Sequence, residues 1–242
     1  MSAAVIADDA TKPFSGALYL GKDRREFNGP AEPLEMDLTR FYLNLSYNVY
    51  YSGEVLRRKG GRSVNWRPVS TPGLTLFVEA GAAKAERDNS DDGEYGPDLG
   101  VGLEISTARI AVFDSAVIGK EADLMASIAL KYTDTESNFS NRRDFSWSEL
   151  TLTPKVTYIA TPRSDLDMKQ SYRPSQVRLH LGAVAILDSD GDFDGSDLET
   201  ARDFGLLFGV DFELAEVWSV LASGVFYGDS DRALRLGFAL DF

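Results

Sequence analysis

Apolar residues recur at every second position in segments of about ten residues, and this period constrains the fold more than any other feature of the chain. Along 41–51, Phe41, Leu43, Leu45, Tyr47, Val49 and Tyr51 fall on one face of an extended strand, and Tyr42, Asn44, Ser46, Asn48 and Tyr50 on the other. The pattern returns at Leu74, Leu76, Val78, Ala80 and Ala82, and again at Leu99, Val101, Leu103 and Ile105. Runs at 126–132, 150–158, 177–185, 204–214 and 234–242, with weaker ones at 14–20 and 218–226, bring the tally to about ten strands. Clusters of Gly, Asp, Asn, Ser and Pro separate them. No stretch keeps an apolar spacing of three and four over three turns, 198–207 coming nearest, so no long helix is expected.

Strand length then separates two kinds of β protein. Strands of soluble domains average roughly five or six residues, whereas several runs here reach the nine to eleven or so that cross a bilayer at a tilt. No segment approaches about 18 consecutive apolar residues, which excludes a transmembrane helix and leaves a closed barrel as the way to satisfy backbone hydrogen bonds in lipid. Bulk composition is neutral on this point: 43% hydrophobic residues and a mean hydropathy of -0.20 suit a soluble protein as well as a barrel that shows lipid only every second residue. The expected fold is all-β, a closed antiparallel up-and-down transmembrane β-barrel of about ten strands, with eight to twelve compatible. It occupies 14–242 as a single domain, preceded by an N-terminal extension over 1–13. A soluble β-barrel or sandwich is the competing fold, and it predicts solubility without detergent.

Aromatic placement supports the membrane reading. Tyr19, Phe41, Tyr51, Tyr132, Trp147, Tyr158, Trp218, Tyr227 and Phe242 lie near the ends of expected strands, where amphipathic rings form girdles at the headgroup level. The last strand alternates Leu234, Leu236, Phe238, Leu240 and Phe242 with Ala233, Arg235, Gly237, Ala239 and Asp241. That ending resembles the terminal strand of bacterial outer-membrane β-barrel proteins, in which the final aromatic residue and the alternating apolar residues before it are read by the assembly machinery. The resemblance implies that Leu236, Phe238, Leu240 and Phe242 are such an assembly signal and that the chain resides in a Gram-negative outer membrane, among membrane lipids and lipopolysaccharide. Residues 1–13 have no basic start and no apolar core, so the chain is expected to be a mature form whose signal peptide is removed.

If the C-terminus is periplasmic, as the resemblance implies, an even strand number places the N-terminus on the periplasmic side too. Outward loops then fall at roughly 21–39, 87–97, 134–145, 188–203 and 228–232. The periplasmic connections near 58–72, 107–122 and 161–175 are long for such turns, and only the one at Ala215 and Glu216 is tight. The first of them carries Arg57, Arg58, Lys59, Arg62 and Arg67, a solvated basic face or a docking site for a periplasmic protein partner. Pro154 cannot donate to a ladder, so a bulge is expected there.

Projected inward, the polar faces carry Glu79, Glu104, Lys131, Glu149, Lys155, Arg178, His180, Asp211, Glu213 and Arg235. In a narrow lumen such charges either pair into a plugging network or line a conduit for small polar solutes. His180 is the only histidine, so any histidine-dependent hydrolysis must use it, yet no Ser-His or Asp-His arrangement surrounds it in sequence. Gly100 and Gly102, and Gly205 and Gly209, lack the strand-to-helix context of nucleotide motifs and read as small residues in a crowded lumen. Asp188, Asp190, Asp192, Asp194 and Glu199 place oxygen ligands in the manner of a Ca²⁺ loop. Neither reading frame completes an EF-hand, because the twelfth position from Asp190 is Ala201 and the sixth from Asp188 is Phe193. A solvated acidic loop is the alternative, and no other cofactor is expected.

A formal charge of -13 argues against nucleic acid as a partner, and zero Cys removes thiol chemistry and disulfides. The function expected is a membrane scaffold or narrow channel for small polar solutes, without enzymatic activity. The alternatives are a surface binding or adhesion protein working through acidic loops and, last, a lipid-directed hydrolase using His180.

Overall fold

The computed structural model describes residues 14–29, 33–49, 72–87, 91–107, 109–113, 121–139, 144–161, 176–215, 218–228 and 231–241. They form twelve strands: β1 (Phe14–Asn28), β2 (Leu34–Asn48), β3 (Gly73–Arg87), β4 (Asp91–Ser106), β5 (Ile110–Phe113), β6 (Glu121–Phe139), β7 (Asp144–Thr161), β8 (Gln176–Phe193), β9 (Ser196–Thr200), β10 (Phe204–Ala215), β11 (Trp218–Phe226) and β12 (Arg232–Asp241). No helix occurs among the described residues. Ten strands make the wall, in the order β1, β2, β3, β4, β6, β7, β8, β10, β11, β12, each antiparallel to its neighbour. The wall closes where Ser15 to Arg24 of β1 pair with Asp241 to Arg232 of β12, which leaves no free edge. The remaining two strands are short. β5 lies back on β6, and β9 continues the β8 hairpin.

The end carrying Phe14 and Asp241 is called lower here, and the end carrying the β1–β2 turn upper. In the lower part the sheet is inside out relative to a soluble barrel. Leu18, Leu20, Phe41, Leu43, Leu45, Leu76, Val78, Leu99, Val101, Ile128, Val156, Leu179, Leu181, Phe208, Val220, Leu236 and Phe238 all point outward and are exposed, in a belt around the whole wall. Such a belt is stable only against hydrocarbon, and this is the arrangement of a transmembrane β-barrel.

Higher up the same strands, the alternation changes phase. On β2 the apolar positions are odd from Phe41 to Tyr47 but even at Leu34, Met36 and Leu38, and the switch falls at buried Arg40. β1 moves from Leu18 and Leu20 outward to Phe27 inward, and β7 from Val156 outward to Trp147 and Phe145 inward. The inward set packs as Phe27, Leu34, Met36, Leu38, Ala85, Phe139, Phe145, Trp147 and Leu198, with Phe193 against it. Phe27 meets Phe145 and Trp147 edge-on, with centroids 5.9 and 5.3 Å apart. Above the belt the barrel is therefore an ordinary water-soluble one, apolar inside and polar outside.

The upper part is also narrower. β11 and β12 are only 9 and 10 residues long, whereas β6 has 19. Over the top of the short strands β9 reaches β1, pairing Thr200 with Phe27 and Glu199 with Asn28. The upper ring thus runs β1, β2, β3, β4, β6, β7, β8, β9 and bypasses β10, β11 and β12. Beneath the bypass a second apolar cluster of Val184, Ile186, Val225, Tyr227 and Ala233 fills the interior.

Four expectations are corrected by this architecture. Most of the described residues in the outward segments 21–39, 87–97, 134–145 and 188–203 are not loop but continuations of the strands, whose alternation persists with the opposite phase. Tyr19, Trp147 and Tyr227 do not join a girdle: Tyr19 stacks inside on Tyr42, centroids 5.1 Å apart, and the other two are buried. Phe41, Tyr132 and Trp218 do face outward and are exposed, while Tyr51 and Phe242 lie outside the described residues. Pro154 keeps its place opposite Ile128 without a shift in register. The bulge comes earlier on β7, between Leu150 and Thr151, where Leu187 is the extra residue on β8. Of the long lower connections, part of 107–122 returns as β5, and the basic run from Arg57 to Arg67 lies outside the described residues.

Candidate functional site

Each of the ten charged residues projected from the alternation sits on the inner face of the wall, and the register brings them together in tiers. The lowest tier holds pairs along the wall. Lys155 on β7 donates to Glu104 on β4 at 2.9 Å, and Arg178 on β8 lies 3.4 Å from Glu213 on β10. Beside them His180 joins two groups: its Nε2 is 2.7 Å from Asp211 and its Nδ1 is 2.9 Å from the Thr157 hydroxyl. Above these Lys131 pairs with Glu79, which also accepts from Asn44 at 3.0 Å. Arg235 faces the same space, with Asp23 and Glu79 among the carboxylates that act on its charge.

The upper tier differs because it is more deeply buried and because one of its contacts, that of Arg25, crosses the lumen. Arg25 on β1 reaches Glu149 on β7 at 3.4 Å and donates to Tyr227 beyond β11 at 2.8 Å. Its guanidinium lies 3.7 Å from the centroid of the Tyr227 ring and 5.2 Å from that of Trp147. Arg40 on β2 sits between Asp23 at 3.6 Å and Asp98 at 3.9 Å and donates to the Thr135 hydroxyl at 3.0 Å, which in turn donates to Asp98 at 2.8 Å. Strands β1, β2, β4, β6, β7 and β11 are thereby tied together.

Water access falls in step with height. Side chains of the lowest pairs are 22% to 29% exposed, those of the Lys131 and His180 pairs 12% to 18%, and those of the Arg25 and Arg40 clusters 2% to 9%. The interior is wet from below and sealed above, where the apolar clusters begin. Missing side chains make room for the rings at the seal: a Cβ on Gly237 would stand 2.6 Å from the Tyr19 ring, and one on Gly205 2.8 Å from that of Tyr227.

Thr157, His180 and Asp211 have the connectivity of a nucleophile, base and orienting acid. Sequence reading missed it because the three lie on β7, β8 and β10 and meet only through the cross-strand register. The chemistry is nonetheless poorly served. Thr157 is 1% exposed, so its hydroxyl is shut away from any acyl group, and the neighbouring backbone N–H groups are committed to the ladders.

The acidic segment takes a different form from an ion-binding loop. Asp188, Asp190 and Asp192 belong to β8 and Asp197 and Glu199 to β9, joined by a tight turn at Asp194 and Gly195 with φ of 56° and 78°. Asp192 accepts the Gly195 N–H at 2.9 Å, as the turn requires. Among the described residues no group of three or more His, Asp or Glu side chains gathers in a way that could hold a metal ion. Of the terminal strand, Leu236 and Phe238 are exposed on the outer face, Leu240 shares that face, and Phe242 lies outside the described residues.

No family model matches the chain, and no curated protein matches it in sequence. Among solved structures it is similar to the transport unit of the autotransporter AIDA-I from Escherichia coli, at 8% identity over 100% of this chain and 93% of that one, with a TM-score of 0.49. It is also similar to an outer membrane channel from Pseudomonas putida F1, at 10% identity over 100% of both chains with a TM-score of 0.42. The translocator domain of the autotransporter NalP from Neisseria meningitidis follows, at 10% identity over 97% and 90%, with a TM-score of 0.40. These likenesses carry nothing over to the residues of the lumen.

Proposed function

We propose that this chain is an outer-membrane β-barrel acting as a membrane scaffold with a sealed lumen and no enzymatic activity. One observation carries the reading: apolar side chains fill the upper interior, and beneath them Arg25 joins β1 to β7 on the opposite wall while Arg40 sits in a buried cluster with Asp23, Asp98 and Thr135. A channel needs a continuous polar path, and a solute entering from below would meet buried ion pairs and then an apolar plug. Breaking a buried pair costs about 3–5 kcal/mol, far more than a passing small solute returns. Even parity brings both termini to the lower end; with that end periplasmic, as in outer-membrane barrels, the water-soluble upper ring stands outside the cell. The wet lower lumen is then a blind vestibule facing the periplasm.

Planar bilayers test this. Purified protein is expected to insert without single-channel steps at any voltage below rupture. Regular steps from the wild-type chain would refute the sealed scaffold and restore the conduit.

A further inference from the structure

The outer face of the wall is uneven at β10–β12, and the unevenness follows from the register. Phe208, Gly224, Leu234 and Lys22 form one row across β10, β11, β12 and β1; Val210, Ala222, Leu236 and Leu20 form the row below. Small residues on the central strand, flanked by large ones, leave a trough of about 720 Å³ along β11, with Ala222 and Gly224 as its floor and Phe208, Phe226 and Leu236 as its sides. Its lining is almost wholly apolar. It ends upward at Lys22.

Cations gather at that end. Arg24 and Arg232 are paired directly across β1 and β12 on the outer face, one row above Lys22. Like charges in such a position destabilise a sheet unless an anion offsets them. Asp37 lies among them, 2.8 Å from Arg24 and 3.5 Å from Lys22. Farther up, Glu26 and Glu35 face each other on β1 and β2. The basic patch is therefore a narrow band, with a hydrocarbon trough below it and acids above.

From this arrangement we infer a binding site for lipopolysaccharide, one acyl chain lying in the β11 trough and a glucosamine phosphate held by Lys22, Arg24 and Arg232. The inference rests on the membrane reading and its sidedness, since only the outer leaflet at the upper edge of the belt presents this lipid. Phosphate oxygens suit the two guanidinium groups, and an acyl chain suits a groove that lipid would otherwise fill loosely.

The test uses the refolded chain in detergent, titrated with rough-type lipopolysaccharide and followed by native mass spectrometry. One bound lipopolysaccharide is expected, about tenfold weaker in the Lys22→Ala/Arg232→Ala pair. Ala222→Phe, which fills the trough and leaves the charges alone, is expected to weaken it several-fold. Both variants replace outward side chains, and the shift in gel mobility on heating reports that each has folded. Binding equal to wild type in either folded variant, or displacement by an equal concentration of phosphatidylglycerol, overturns the site. A chain that fails to insert into bilayers at all refutes the scaffold proposal instead, before any lipopolysaccharide is added.

Discussion

Arg40 offers the sharpest test of how the barrel is held shut. Its side chain is 5% exposed and stands between the carboxylates of Asp23 and Asp98, which are 2% and 6% exposed. Replacing it by Met keeps much of the volume and the contact with Trp147, whose ring centroid lies 5.5 Å from the guanidinium. The two carboxylates then remain buried beside each other without the cation between them. Removing one side of a buried pair costs about 3–5 kcal/mol, and a cluster with two stranded acids belongs at the upper end of that range. The triple variant Arg40→Met/Asp23→Asn/Asp98→Asn removes the charges together and is expected to recover most of the loss, since neutralising a whole buried cluster is often close to neutral. Equilibrium urea unfolding of the protein in lipid vesicles, followed by tryptophan fluorescence, measures both. A loss under about 1 kcal/mol for Arg40→Met, or a triple variant no more stable than the single one, would show that the upper network does not close the lumen in the manner argued.

The same unfolding assay tests three further points. Lys155→Met strands Glu104 in the wet lower tier, where the pair is 22% and 23% exposed, so a loss of only about 1 kcal/mol is expected. Phe27→Ala empties a fully buried position against Phe145 and Trp147 and is expected to cost about 3–5 kcal/mol, with the midpoint shifted and the slope unchanged. Gly195→Val places a branched residue at a φ of 78° where no neighbouring atom obstructs it, so the cost, roughly 1–2 kcal/mol, is backbone strain alone.

Alternation told which face each lower strand turns to lipid, because Leu18 and Leu20, Phe41 to Tyr47, and Leu234 to Phe238 keep one phase over several residues. Strand ends were less legible. Leu34, Met36 and Leu38 alternate as regularly as Phe41, Leu43 and Leu45, but on even positions, and a single-phase reading breaks the strand at Arg40 and leaves 21–39 as a loop. Reading the reversal as a change of surroundings, lipid to water, would have located the upper core. Trp147 and Tyr227 were misplaced for the same reason, since an aromatic near a strand end suits a membrane interface and a buried core equally well. Inner faces can be projected from a period of two, but partners cannot. Arg25 meets Glu149 across 124 residues only because the barrel's closure and register set them opposite each other.

β1 has three partners, β2, β12 and β9, as do β6 and β8, but its partners lie farthest apart in the sequence. Only β2 is local in sequence. Both of the others come from the last fifth of the chain, and both closures, that of the ten-strand wall and that of the narrower ring above it, are made on β1. The strand that comes first in the sequence is thus the last to have its hydrogen bonds completed, and until the C-terminal strands exist its inner residues Asp23, Arg25 and Phe27 have no enclosed space to fill. A chain cut short before β12 loses the seam of the wall and the lipid-facing trough together, while the β9 closure above them is still encoded.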